Sequence, residues 1–309
     1  MLRTSPIDLH LWHQSDDAGR RSDRVPGMQR VRRGVYADAA EWQALTPWDR
    51  YLARVHAQVL YDPRSVIVDE SAAALWGPSI AWASRPVHVL RPGGHARSSA
   101  ALRIHTTRDT RDIVEVDGIL LTSPTSTAID LARSRPWAEG RAYADALMRI
   151  DPGISSAALS AENASRSSSR GALHAGWVID RASPIPESVL ESLSLCSIEW
   201  NGFEMPTLQM EFPWELGIDR SDFCWIAQRV IGEADGDAKY DLAEDPRQAL
   251  RDEKQREDRM RRQAAGFARW GWDDLAVPGR IASLLVAAGL EPIDRPDPVL
   301  LATLRRIGR

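Results

Sequence analysis

Cysteine is scarce in this chain: Cys196 and Cys224 are the only two in 309 residues. They stand far apart without metal-ligand neighbours, which argues against both a disulfide framework and a cysteine-built zinc site. Long apolar runs are also missing. The stretch from Met1 to His10 lacks the core of a signal peptide, and no later run is long and apolar enough to span a membrane. A cytoplasmic setting with no membrane partner is therefore expected. Charge of one sign is missing too: the formal net charge is -4, so composition gives no global nucleic-acid signal. Pro92-Gly93-Gly94 reads as a turn and lacks the Lys-Ser/Thr of a phosphate-binding loop. No internal repeat is apparent.

What is present divides in two. The length exceeds that of one ordinary domain, and apolar residues make up 43% of the chain, enough for a core in each of two. The Ser- and Ala-rich stretch from Gly153 to Arg170 is the expected connection, which gives domains at 1–152 and 183–309 with 153–182 between them. In the first half, Arg30 to Tyr36 reads as a basic strand and Trp42 to Leu60 as a helix. Glu70 to Trp76 reads as a short helix stopped by Gly77. Pro86 to Leu90, Leu102 to His105 and a hairpin about Asp117-Gly118 supply strands, and Ser123-Pro124 opens a helix. His88 and His105 read as strand residues, since no acid or cysteine lies at ligand spacing. An arginine cluster runs from Arg20 to Arg33, in which Arg30, Arg32 and Arg33 are candidate phosphate contacts; a disordered arm is the competing reading.

The second half carries the clearest chemistry. Ser221 to Gly236 forms two β-rich runs meeting at Ala227-Gln228. A symmetric turn there pairs Trp225 with Val230 and hence Asp222 with Glu233. The period of two then puts Asp235 on the face of Glu233. Directly opposed like charges destabilise a sheet pair unless something neutralises them. Carboxylate oxygens suit Mg²⁺ or Mn²⁺, so Asp222, Glu233 and Asp235 are candidate metal ligands. The alternative is a solvated acid pair at the end of an exposed hairpin. Around the hairpin, a helix from Ser183, the strand Leu208 to Phe212, a helix capped by Asp245, a strand at Phe267 to Trp272 and a helix from Pro278 are predicted.

From Ser183 onward the order is helix, three strands, helix, strand, helix. With Asp222 in Ser221-Asp222-Phe223, Glu233-Ala234-Asp235-Gly236, Lys239-Tyr240, the helix run Glu253 to Asp258 and Arg269-Trp270-Gly271-Trp272, this part resembles the PD-(D/E)XK superfamily. It is most similar to the restriction-endonuclease-like domains related to very-short-patch repair nucleases. The resemblance covers about the last 130 residues. It implies an αβββαβ core, and it matches Glu187 to an acid such domains carry on their first helix. Asp235 stands where the superfamily name implies a lysine, so Lys254 or Lys239 is expected to bring the missing cation. Either lysine could equally be a surface charge.

The first half is similar to the AbiEi-like antitoxins of actinobacterial toxin-antitoxin loci. The matching residues are Arg32 to Tyr36, Glu70 to Ala73, Val87-His88-Val89, Thr122-Ser123-Pro124 and Asp130-Leu131-Ala132. That resemblance implies an α+β region with an N-terminal winged helix that binds DNA. Upstream of Arg30 the chain lacks two apolar-periodic helices, so a degenerate or truncated module is expected. Two functions follow. One is a Mg²⁺-dependent DNA endonuclease with Asp222, Glu233, Asp235, Lys254, Lys239 and Glu187 as catalytic residues. The other is a non-catalytic DNA-binding antitoxin or regulator of a type IV toxin-antitoxin locus, with a cognate toxin as partner.

Overall fold

Proline, glycine and short polar side chains set the element boundaries of the first half. A computed structural model describes residues 1–14, 21–78, 86–91, 95–107, 109–236 and 246–304, with the backbone alone at 246, 247, 249, 250 and 252. Within it the chain divides into two units, Met1–Ala182 and Ser183–Arg309. The fold is α+β, with twelve α-helices and three sheets among the described residues. None of those helices is long and apolar enough to cross a membrane.

The first unit begins with β1 (His10–Leu11), β2 (Met28–Arg32) and β3 (Val35–Asp38), an antiparallel sheet in the order β1-β3-β2. The expected single strand from Arg30 to Tyr36 is instead a hairpin, because Gly34 takes a φ of 83° at the turn. Asp38 accepts the N–H groups of Ala40 and Glu41 and starts α1 (Ala39–Ala44). Thr46 then accepts the N–H of Asp49 ahead of Pro47, which restarts the chain as α2 (Pro47–Tyr61). One expected helix is therefore two.

A second, six-stranded sheet follows. Its strands are β4 (Val66–Ile67), β5 (Val87–Leu90), β6 (Arg97–Ser98), β7 (Leu102–His105), β8 (Ile113–Val116) and β9 (Ile119–Thr122), in the order β6-β7-β5-β4-β9-β8. Helix α3 (Asp69–Trp76) leaves the end of β4 and stops at Gly77. Asp117 and Gly118 both take positive φ, as a two-residue hairpin turn requires. Ser123 caps α4 (Pro124–Ser134), and α5 (Trp137–Ile150), α6 (Ser156–Ser165) and α7 (Ala172–Ile179) complete the unit. The stretch expected as a connection thus holds two helices. Their apolar residues Leu159, Ala175, Val178 and Ile179 share a core with Ile129 and Leu147 of α4 and α5. A separate cluster of Leu52, Val55, Ile67, Leu75 and Leu121 fills the space between α2, α3 and the six-stranded sheet.

The second unit runs α8 (Val189–Trp200), β10 (Thr207–Trp214), β11 (Gly217–Trp225), β12 (Val230–Ala234), α9 (Pro246–Gln263) and β13 (Gly266–Trp270). It ends in α10 (Trp272–Ala276), α11 (Arg280–Ala287) and α12 (Pro298–Leu304). Helix α8 starts at Val189 and not at Ser183, since Pro184 and Pro186 precede the cap that Ser188 provides. The sheet order is β10-β11-β12-β13, with β12 and β13 parallel across the α9 connection. Phe223 stacks on Trp270 at 5.3 Å, and Trp270 donates to the Ser194 hydroxyl at 2.8 Å, joining sheet to α8. Helix α9 is mostly polar and is tied down by charge. Arg259 grips Asp219 of β11 with two bonds of 2.6 and 2.7 Å.

Candidate functional site

The β11-β12 ladder pairs Trp225 with Val230, Cys224 with Ile231 and Phe223 with Gly232. One step further along, Asp222 faces Glu233, on one side of the sheet. Asp222 Oδ2 accepts the N–H of Ala234 at 2.8 Å, while Glu233 is 4% exposed. A third acid joins them from α8. Glu191, also buried, accepts the N–H of Glu187 and the Gln209 amide, each at 2.9 Å. Gln209 has a φ of 53° and interrupts the β10-β11 ladder between Leu208 and Met210. A left-handed non-glycine residue costs of order 1 kcal/mol and persists only where its surroundings hold it.

Burial first, and then the charge of Asp222, push both Glu191 and Glu233 above the usual carboxylate range, Glu233 to about 7. Arginines oppose this. Arg256 of α9 donates to Glu233 at 2.8 Å and to Glu253 at 2.7 Å; its hydrogen bond holds the Glu253 carboxyl low. Arg269 of β13 bonds Glu253 at 2.7 Å and Glu257 at 3.0 Å and lies 3.7 Å from Asp235. Charges thus alternate through Asp235, Arg269, Glu253, Arg256 and Glu233. Two atoms of this network, Glu233 Oε1 and Arg269 Nε, are buried and have no hydrogen-bond partner among the described residues.

A second constellation lies in the first unit. His88 of β5 and His105 of β7 share a sheet face, because His88 pairs with Arg103 and His105 lies two residues beyond it. Asp69 enters from the first position of α3 with a φ of 51°. Its Oδ2 lies 3.2 Å from His88 Nδ1 and 3.1 Å from His105 Nε2, and the two ring nitrogens are 3.0 Å apart. Burial opposes ionisation of Asp69. The hydrogen bond from His88 and the positive potential of His105, His88 and Arg135 outweigh it and hold the carboxyl below its usual range. Among the described residues this is the one group of three His, Cys, Asp or Glu side chains whose ligand atoms all lie within 4.8 Å of one another.

The chain matches no family model, no curated protein and no solved structure. The two family resemblances rest on their motif residues alone.

Of the sequence-derived candidates, Asp222 and Glu233 come together, and Asp235 lies in the arginine network. Glu187 is half exposed and pairs with Arg220 at 2.6 Å; Glu191, one turn on, is the acid beside Asp222. Lys254 is exposed on α9, and the cation that reaches the acid pair is Arg256. Lys239, Asp245 and Pro92 to Gly94 lie outside the described residues. Arg30 and Arg33 are exposed, whereas Arg32 stacks over Tyr61 at 4.0 Å and bonds Gln58. The sequence signal that could have found Glu191 is its capping position, Ser188-x-x-Glu191. No local signal joins Asp69 to His88 and His105, which meet only through the sheet.

Proposed function

We propose that the Ser183–Arg309 unit is a restriction-endonuclease-like domain that hydrolyses phosphodiester bonds in DNA with Mg²⁺ or Mn²⁺. The observation that carries this reading is the group of half-buried Asp222 with buried Glu233 and Glu191, in which Glu233 Oε1 has no hydrogen-bond partner among the described residues. Such a donor set fits a hard divalent cation, which prefers carboxylate oxygens. Asp222 and Glu233 would hold it, with Glu191 adding negative charge beside Asp222, since the ligand atoms of the three acids do not all lie within 4.8 Å of one another. When bound, the ion supplies Lewis-acid activation of water and neutralises charge at a phosphate. The chain's own part is to keep the acids out of bulk water, to orient Asp222 through the Ala234 N–H, and to bring a cation beside them. Arg256 fills that last role and stands in for the lysine that the superfamily name implies. Exposed Arg30 and Arg33 are the proposed DNA contacts of the first unit. This function agrees with a cytoplasmic setting.

The alternating Asp235-Arg269-Glu253-Arg256-Glu233 network favours a second reading. It neutralises Glu233, Glu253 and Asp235 without a metal, as expected of a DNA-binding antitoxin or regulator that keeps the fold without hydrolysis and pairs with a cognate toxin. Incubating the full chain with supercoiled plasmid and labelled duplexes, with Mg²⁺ or Mn²⁺ against a chelator control, separates the two. Metal-dependent nicking supports the nuclease. DNA binding without cleavage under any metal supports the regulator.

A further inference from the structure

The triangle formed by Asp69 Oδ2, His88 Nδ1 and His105 Nε2 has edges of 3.0, 3.1 and 3.2 Å. Hydrogen bonds cannot serve all three edges. A ring nitrogen carries at most one hydrogen, directed outward in the ring plane, and a carboxylate oxygen carries none. If both imidazoles donate to Asp69, two N–H groups face each other across the nitrogen-nitrogen edge; if only His88 donates, the His105 lone pair faces the Asp69 oxygen; if neither does, three lone-pair atoms converge. A cation at the centre satisfies all three. Bonds of about 2.1 Å to atoms about 3.1 Å apart subtend roughly 95°, the facial arrangement that leaves the opposite side of an ion open.

The surroundings are those of a built site. Asp69 and Glu70 are both buried, and the Arg135 guanidinium is engaged with Glu70 at 2.6 Å. Glu70 in turn lies 3.5 Å from His88 Nδ1, the ligand atom itself, and adds negative potential beside the ion position. Ser71 accepts the backbone N–H of His88 at 2.8 Å and pairs with the Tyr51 hydroxyl at 2.7 Å, which fixes α3 against β5. The left-handed Asp69 is held where its side chain meets both rings.

Asp69 and His105 also line a cavity of about 370 Å³, within the size range of small-ligand sites. Five arginines line it against three aspartates, among them Arg103, Arg111, Arg133 and Arg135. The Nε atoms of Arg133 and Arg135 are buried without a hydrogen-bond partner among the described residues. Guanidinium donors converging in front of a metal-ligand triangle match the oxygens of a phosphate-class anion.

We propose that Asp69, His88 and His105 bind a divalent transition-metal ion of the zinc class, and that the arginine-lined cavity takes a phosphate-class anion bound to that ion. The site belongs wholly to the first unit and is independent of the carboxylate group on β11 and β12. Imidazole ligands select a zinc-class ion over Mg²⁺, so the two sites differ in metal as well as in place.

The test is calorimetric titration of the chelator-stripped full chain with Zn²⁺, made in a Glu233→Gln background so that the carboxylate group contributes nothing. One ion per chain is expected. Asp69→Asn and His105→Gln should each weaken it at least about a hundredfold while circular dichroism stays unchanged. His105 is half-buried, so its change opens no core. Bound Co²⁺ should show visible bands that shift in His105→Gln. Inorganic phosphate should bind the zinc-loaded chain more tightly than the stripped chain, and Arg103→Gln should reduce that gain. A folded, stripped chain that takes up no Zn²⁺, or uptake untouched by both ligand changes, overturns the metal site. Phosphate binding indifferent to zinc overturns the anion assignment.

Discussion

Replacing Glu233 by Gln is expected to stabilise the second unit at pH 8 and to leave it unchanged near pH 4. Burial and the charge of Asp222 raise the acid from 4.5 to about 7, and its side chain is 6% exposed, so solvent screens little of the effect. The neutral acid is the form the fold tolerates. Its contribution is complete below pH 4.5 and is lost as pH rises through about 7. The gap between those values corresponds to about 3 kcal/mol at full ionisation. Gln keeps the shape and stays neutral, so at pH 8 it should recover most of that amount. Hydrogen-exchange mass spectrometry of Val230–Ala234 reads this locally. After correction for intrinsic rates, protection should be about two orders of magnitude greater in the variant at pH 8 and equal near pH 4. Mg²⁺ at pH 8 should slow exchange in the wild type and not in the variant. Equal protection at pH 8 without metal would show that Glu233 is not a repelled, buried acid.

Arg256→Ala should cost roughly 3 kcal/mol, the scale of breaking a largely buried pair, and should move Glu233 to a still higher midpoint in a carboxyl-detected titration. Gly266→Ala should unfold the second unit in denaturant titrations, because a Cβ there would lie 1.8 Å from the Ala288 carbonyl oxygen. Gly279→Ala, with open space around it but a φ of 73°, should cost only about 1 kcal/mol. If the first unit binds DNA through its exposed arginines, changing Arg30 and Arg33 to Gln should lower the salt slope of duplex binding, read by anisotropy, by roughly two. Arg32→Gln should instead destabilise the hairpin, because it removes the stack on Tyr61.

The hairpin register was legible because strand alternation and a short turn leave few other pairings for Trp225 and Val230. The same holds for starts marked by local chemistry, such as Ser123 before Pro124. What escaped the sequence was decided by distant parts of the chain. Leu159, Ala175 and Val178 are too sparse in their Ser- and Ala-rich setting to announce two helices, and they become a face only against α4 and α5. The superfamily resemblance points to Lys254, yet α9 turns Arg256, Arg259 and Met260 toward the sheet, so the reaching cation lies two residues further on. Glu191 was hidden by its ordinary role as a cap partner. Asp69 and His88 stand 19 residues apart and meet through neighbouring strands, an adjacency no spacing rule carries.

The reaction proposed for the second unit is hydrolysis of DNA by its acid group. Single-turnover cleavage of a labelled duplex in Mn²⁺, comparing wild type with Asp222→Asn, tests it most directly. The expected result is metal-dependent cleavage that falls at least about a hundredfold in the variant while duplex affinity is kept. Cleavage at the wild-type rate in Asp222→Asn would contradict it, as would a wild type that binds the duplex and leaves it intact at every metal concentration.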